Sequence, residues 1–207
     1  VKQDLHDTLP PPAVSRETEA RLERFLALLL RWNARINLVA SQDPAVLRQR
    51  HIQDSLQLLP LLPEGEGPMA DLGSGGGFPG LVLAMAVRRP VHLVESDRRK
   101  AAFLQAAAAE LGLAHVTVHA ARIEAVRLPP LAVLTARALA PLEKMLPWAQ
   151  ALLAPDGVAV FPKGQGAEAE IEAATGAGWT MALQRFKSST DPNATILRMS
   201  GIHRAGE

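Results

Sequence analysis

The chain has 207 residues, of which 48% are hydrophobic and 21% charged, the composition of an ordinary globular protein with one sizeable core. Its 22 Lys and Arg stand against 21 Asp and Glu, so bulk charge gives no argument for a nucleic-acid partner, which has to be sought in local clusters. Cysteine is absent, which excludes disulfides, thiolate metal sites and a cysteine nucleophile.

From the N-terminus, "VKQDLHDTLPPP" lacks the basic-then-apolar layout of a signal peptide, and "FLALLL" and "LVLAMAV" are far too short to span a bilayer. A cytoplasmic protein without membrane contact is expected. Ser15 is placed to cap a helix in which Leu22, Phe25, Leu26 and Leu29 recur at helical spacing, and Asp43-Pro44 reads as a second cap with proline at the first helical position. Helical texture continues to about Leu62 and stops at the loop "PEGEGP". Then strands and helices alternate: strand "PMADLG", helix "GLVLAMAV", strand "VHLVES", a helix opened by Asp97 and closed at Gly112, and strand "HVTVHA". Strand "LAVLTARAL", helix "PLEKMLPWAQALL", turn "APDG" and strand "VAVFPKG" follow, and the tail offers "WTMALQRFK" and "ATILRMS". This rhythm predicts an α/β fold with a mostly parallel sheet covered by helices on both faces. A single domain over 1–207 is expected, with a helical N-terminal extension over 1–66 and the α/β core over 67–207.

Ligands of such sheets bind at the carboxyl ends of the strands, where "ADLGSGGGFPG" lies. Gly75, Gly77 and Gly80 satisfy G-x-G-x-x-G, and Glu95 follows at the spacing of a dinucleotide fingerprint. Asp71, at the end of the strand before the glycines, argues against that ligand. A carboxylate there would repel a pyrophosphate, whereas S-adenosylmethionine carries a sulfonium and an ammonium and no phosphate. On this reading the glycines let the backbone approach the cofactor, and Glu95 accepts both ribose hydroxyls. The plain alternatives are a tight strand-to-helix turn for the loop and a helix-start charge for Glu95.

His51, Asp54 and Ser55 fall on one helix face, facing either the cleft mouth, where they could hold RNA, or a local hydrogen-bond cluster that pins the N-terminal helices. His115 and His119 lack a third ligand nearby and read as structural, so no metal site is indicated. Arg98, Arg99 and Lys100 open the helix beyond Glu95 and are placed for phosphate contacts, as is Lys163 of "FPKG"; a solvated helix face is the bland reading of the former. Arg48 with Arg50 and Arg88 with Arg89 form the other basic pairs.

"RHIQDSL", "DLGSGGGFPG", "LVESDRRKAAFLQ", "ARIEAV", "TARALAPLEKML" and "FPKG", in that order from about Trp32 to Gly164, resemble the RsmG (GidB) family of 16S rRNA guanine-N7 methyltransferases. The resemblance implies a Rossmann-like S-adenosylmethionine-dependent methyltransferase fold with a seven-stranded sheet and a helical N-terminal extension. It implies that Gly73 and Phe78 touch the cofactor, that Glu95 with Ser96 holds its ribose, that Ile123 and Glu124 meet its adenine, and that Arg137 contacts it. The partner implied is 16S rRNA, in the small ribosomal subunit or an assembly intermediate, and the protein is expected to act as a monomer. Read from the residues alone, Ile123 and Glu124 could equally be an ordinary loop before a helix. Arg137, ending a buried strand, must face the cleft or pair with an anion such as Glu124 or Asp71. The chain departs from the family near its end, where "TDPNATILRM" stands in place of a basic-plus-His segment of the kind "RHLVV" and leaves Arg198 as a weak candidate.

Guanine N7 already carries an in-plane lone pair and no proton, so no general base is expected. Other readings stay open: a methyltransferase on another acceptor, a dehydrogenase, or a non-catalytic RNA-binding or ribosome-assembly factor.

Overall fold

Four short runs of apolar residues, Met69–Leu72 (β2), Val91–Val94 (β3), Val116–His119 (β4) and Leu131–Ala136 (β5), pair in parallel in the order β5-β2-β3-β4. β2 is buried at all four positions, as a strand covered on both faces must be. Beyond β5 come Leu153–Lys163 (β6), Thr195–Arg204 (β8) and Trp179–Lys187 (β7), with β8 antiparallel to both neighbours. The computed structural model describes residues 5–6 and 12–206. Leu5–His6 (β1) pairs parallel with the outer edge of β7 and makes an eighth strand. The segment before residue 66 is therefore not wholly helical: it also supplies this short edge strand. The expected seven-stranded, mostly parallel sheet is otherwise present.

Helices α1 (Arg16–Asn33), α2 (Pro44–Leu47), α3 (Asp54–Leu56) and α4 (Gly80–Ala84) precede α5 (Arg98–Glu110), α6 (Leu142–Leu152) and α7 (Ala167–Gly176). Ser15 caps α1 by accepting from Thr18 N, and Asp97 caps α5 by accepting from Arg99 N and Lys100 N. Leu22, Phe25 and Leu29 of α1 pack with Leu81, Phe103 and Leu104 on one side of the sheet, while Leu142, Leu146, Phe161, Ile171 and Leu197 fill a second cluster with α6 and α7. The helical extension is thus part of the main core.

Two elements differ from the sequence reading. The helix expected over "GLVLAMAV" ends at Ala84, and the carbonyl of Met85 is taken by Thr18 Oγ1 at 3.1 Å. The expected turn "APDG" lies inside β6 as an irregularity: pairing with β5 jumps from Leu131↔Leu153 to Val133↔Val158. Between β2 and β5 the chain's direction of travel across the sheet reverses, because β3 and β4 lie on one side and β5 and β6 on the other. The carboxyl ends of β2 and β5 therefore frame the crevice where a ligand of this fold sits.

Candidate active site

Each of the first four core strands ends in a loop that reaches the same rim. After β2 comes the glycine loop over 73–79, with positive φ at Gly73, Gly75 and Gly77 and a cis bond between Phe78 and Pro79. After β3 come Glu95 and exposed Ser96, after β4 the turn Ile123–Ala125, and after β5 Arg137 and Ala138. Ala138 holds a left-handed φ of 51°, uncommon for a residue with a Cβ, so the turn out of β5 is held by its surroundings. Among the expected cofactor residues, Gly73, Gly75, Glu95, Ser96, Ile123, Glu124 and Arg137 stand on this rim. Ile123 is half-buried and Glu124 exposed.

The amides of the glycine loop decide what it can hold. Gly73 N and Ser74 N donate to Val94 O, and Gly77 N and Phe78 N donate to Ser74 O. Gly75 N donates to Glu95 Oε2 at 2.9 Å, and Gly80 N donates to Asp71 Oδ2 at 3.2 Å. A phosphate-binding loop presents such amides to its ligand; here those of Gly73, Ser74, Gly75, Gly77, Phe78 and Gly80 are taken by carbonyls and by two carboxylates of the chain itself, which leaves Gly76 N alone without a partner among the described residues of the loop. A cationic, phosphate-free ligand fits this donor set and a pyrophosphate does not. A Cβ on Gly75 would meet only Gly73 O, at 3.7 Å, so the loop is open where a ligand backbone would pass.

Asp71 does not face the ligand, contrary to the sequence reading. Its carboxylate is fully buried beneath the loop, accepting from Thr135 Oγ1 at 2.8 Å as well as from Gly80 N. Burial pushes its pKa up from 3.8 to about 6, against the opposing effect of the hydrogen bonds from Thr135, Ser74 and Gly80. Gly80 has to be glycine for this packing, since a Cβ there would lie 2.5 Å from Asp71 Cβ. Asp71 therefore anchors the end of the glycine loop from beneath. Glu95 is 8% exposed, and besides Gly75 N it holds Asp97 N at 2.8 Å through its other oxygen. Each carboxylate oxygen keeps a further lone pair for a ribose hydroxyl.

Phe78 connects this cradle to a second space. Its ring lies 4.9 Å from that of His51 and under the Arg137 guanidinium, 5.3 Å from the centroid. Beyond them opens a cleft of about 570 Å³ lined by Arg50, His51, Asp54, Arg137, Pro162, Lys163, Gly164, Thr190, Asp191, Pro192 and Ala194. Arg137 pairs with neither Glu124 nor Asp71. It donates to Asp54 Oδ2 at 3.1 Å and to the carbonyl of Arg50 at 3.2 Å. The segment Arg48–Gln53 is a π-helical turn, which sets His51 and Arg50 on the cleft wall. Ser55 is buried and its hydroxyl donates to His51 O at 2.6 Å, so it supports the turn and stays out of the cleft. His51 Nδ1 is buried without a partner among the described residues. Burial first, then Arg137, lowers the His51 pKa to about 4, so the imidazole is neutral at physiological pH.

The other predicted contacts divide. Lys163 lines the cleft, but its ammonium is turned away: it donates to Glu170 Oε2 and to Ala140 O, both at 2.8 Å, and Glu170 also accepts from Leu142 N. It joins α7 to the start of α6 and is not a free substrate contact. Arg48 pairs with Glu19 and Glu23, Arg89 holds the carbonyls of Pro63 and Gly65, and Arg198 holds Leu61 O and Gln184 Oε1. Exposed Arg98 and Arg99 and half-buried Lys100 remain; Arg99 and Lys100 share a polar hollow of about 280 Å³ with Arg35 and Asp97. Cations in the first turn of α5 are opposed by the helix dipole, so helix stability does not explain them. His115 bonds Ala84 O, and His119 meets His92 at 3.0 Å; among the described residues no group of three potential ligands could hold a metal ion.

Sequence reasoning missed Gln57 and the β7–β8 loop over 188–194. Gln57 is 2% exposed. Its Nε2 donates to Asp54 Oδ1 at 2.7 Å and its Oε1 accepts from Ser189 N at 2.8 Å, while Thr190 Oγ1 donates to Asp54 Oδ1 at 2.8 Å. "SSTDPN" carried a loop signal, but not its destination.

Comparison with known proteins agrees with this fold. Solved structures share the fold, among them the ribosomal protein L11 methylase of Lactobacillus delbrueckii (TM-score 0.59, 16% identity, 80% of each chain) and an O-methyltransferase of Bacillus cereus in complex with SAH (TM-score 0.59, 16% identity, 86% of this chain and 90% of the other). Curated relatives named ribosomal RNA small subunit methyltransferase G include those of Acidiphilium cryptum, 58% identical over 93% of this chain and 89% of the relative, and Gluconobacter oxydans, 54% identical over 92% and 97%. Residues 18–192 match the family described as rRNA small subunit methyltransferase G, and with the loop chemistry and sheet order in place the chain belongs to this GidB family.

Proposed function

We propose that the protein methylates N7 of a specific guanine in 16S rRNA, with the glycine-loop cradle holding S-adenosylmethionine and the cleft beyond Phe78 receiving the base. Family membership makes it a small-subunit rRNA methyltransferase with S-adenosylmethionine as cofactor. The observation that carries the cofactor assignment is the loop whose amides are taken by Glu95 and Asp71. Gly73, Gly75 and Gly77 with Phe78 would hold the methionine end, Glu95 with Ser96 the ribose, Ile123 with Glu124 the adenine, and Arg137 the boundary with the acceptor. When bound, the cofactor supplies a methyl group on a sulfonium.

The chain's own task is alignment. N7 needs no proton removed, and the residues at the boundary match that need: His51 is neutral and Arg137 is neutralised by Asp54. Neither adds net positive charge where a sulfonium and a purine that becomes cationic must meet. Phe78 offers a flat face between the two spaces and excludes water there. Alignment of this kind is worth on the order of 7 to 11 kcal/mol of barrier. Arg35, Arg98, Arg99 and Lys100 supply phosphate contacts on the other flank of the cradle. The protein acts as a monomer, as a single domain over 1–207, in the cytoplasm, on the small subunit or its assembly intermediate. Among the described residues no helix is long and apolar enough to cross a membrane.

The test is incubation with labelled S-adenosylmethionine and small subunits lacking the modification, followed by nucleoside digestion and mapping by strand cleavage at 7-methylguanosine. One labelled 7-methylguanosine at one 16S position is expected. Label in another nucleoside would move the acceptor assignment, and no label in any small-subunit RNA would remove it.

A further inference from the structure

The cleft beyond Phe78 is walled on its far side by the β7–β8 loop, through Thr190, Asp191, Pro192 and Ala194. Two carboxylates line the cleft, Asp54 and Asp191. Asp54 is committed: one oxygen accepts from Gln57 and Thr190, and the other from Arg137. Asp191 is not. Its Oδ1 accepts from Asn193 N at 2.9 Å, its backbone N–H donates to Ser188 Oγ at 3.2 Å, and it is exposed with Oδ2 unpartnered among the described residues. Asp191 is also held still. Buried Gln57, at the end of α3, ties Ser189 and Thr190 to Asp54, and the carbonyl of Asp191 accepts from Ala194 N at 3.0 Å, so the loop presents a fixed carboxylate to the cleft.

A guanine has to be told from an adenine here by something other than N7, which both purines carry. They differ on the Watson–Crick edge, where guanine offers two adjacent donors, N1–H and the N2 amino group, and adenine offers one donor and an acceptor at N1. One carboxylate accepts two parallel N–H bonds from the first and is repelled by the acceptor of the second. In the sheet order, β2 carries Phe78 after it and β8 follows the loop of Asp191, with β5 and β6 between them. Arg137, after β5, and Asp191, before β8, both line the cleft of about 570 Å³, which has room for a flipped purine with one edge on each wall.

We infer that Asp191 is the specificity-determining residue of the acceptor cleft, accepting N1–H and N2–H of the target guanine while its N7 edge faces Phe78 and Arg137. This rests on the guanine-N7 reading above. The same carboxylate acts on the rate: as the N7–methyl bond forms, the purine gains a positive charge and its N1–H becomes a stronger donor, so the contact strengthens toward the transition state. Cofactor binding does not involve it.

The test uses the full chain, labelled S-adenosylmethionine, and small subunits reconstituted with either guanine or adenine at the mapped target. Asp191→Asn keeps the Oδ1 acceptor for Asn193 N, so the loop retains its turn. Its amide can donate to adenine N1 and accept from the adenine amino group. The expected result is a fall of about tenfold to a hundredfold in kcat/KM on guanine subunits, an unchanged Kd for S-adenosylmethionine, and a raised ratio of adenine to guanine methylation. Wild-type kcat/KM in Asp191→Asn overturns the inference, as does an equal loss on both templates, which marks a merely structural role. Failure of the wild-type protein to methylate guanine subunits at all overturns the underlying acceptor reading instead, before the variant is compared.

Discussion

Asp71 and Lys163 show how much a side chain's direction matters at this site. The Asp71 pKa of about 6 lies above its unfolded value of 3.8, so the contribution of this group to stability is fully present below 3.8 and is lost as pH rises through 6. Keeping it ionised at pH 7 costs on the order of 3 kcal/mol. Asp71→Asn can still accept from Gly80 N and pair with Thr135. Urea unfolding of the cofactor-free protein should show the variant more stable than wild type above pH 6, by about 1 to 3 kcal/mol, with the gap closing toward pH 4; a variant less stable at every pH would refute the burial account. For Lys163 the expected effect is on stability and not on substrate. Lys163→Met strands Glu170 and the carbonyl of Ala140, should cost about 2 kcal/mol, and should leave KM for the small subunit unchanged; a raised KM with an unchanged melting temperature would return Lys163 to the substrate.

The elements were legible where local physics decides them. The caps at Ser15, Asp43 and Asp97 all accept the amides that their sequence positions predict, and β2 and β3 lie where short apolar runs end at Gly73 and Glu95. Asp71 could be placed on its strand but not on a face of it, because a parallel strand buried on both sides has no apolar-polar alternation to read. The Asp54–Thr190 and Gln57–Ser189 contacts span more than 130 residues, and nothing in either segment names the other. His51 and Asp54 were readable as one polar face, but the pairing of Asp54 with Arg137 depends on the sheet bringing β5 beside the π-helical turn. The loop's fixity can be tested at this scale. Gln57→Leu should speed amide exchange in 188–194 and lower turnover on small subunits at an unchanged Kd for S-adenosylmethionine; slow exchange in the variant would show that the loop holds itself.

Across the whole molecule, a net charge of +1 is distributed unevenly enough to matter. Arg24 and Arg31 hold Glu110 and Arg21 pairs with Glu17, while Arg35, Arg99 and Lys100 meet around one hollow beside the cradle. Removing Arg99 and Lys100 together should flatten the dependence of small-subunit binding on salt, lowering the slope of log K against log salt by about 1.5. An unchanged slope would place the RNA elsewhere. The fold itself, with its switch point between β2 and β5, is shared with methyltransferases of under 20% identity; in this chain two carboxylates, Glu95 and Asp71, accept amides of the glycine loop. Because that occupancy separates a sulfonium nucleoside from a pyrophosphate, the deciding measurement is a calorimetric titration of the wild-type protein with S-adenosylmethionine and with NAD. Saturable binding of S-adenosylmethionine is expected, weakened at least tenfold by Glu95→Ala, with no binding of NAD. Comparable affinity for NAD, or binding of S-adenosylmethionine that survives the loss of Glu95 intact, would remove the glycine loop and Glu95 as the cofactor's cradle.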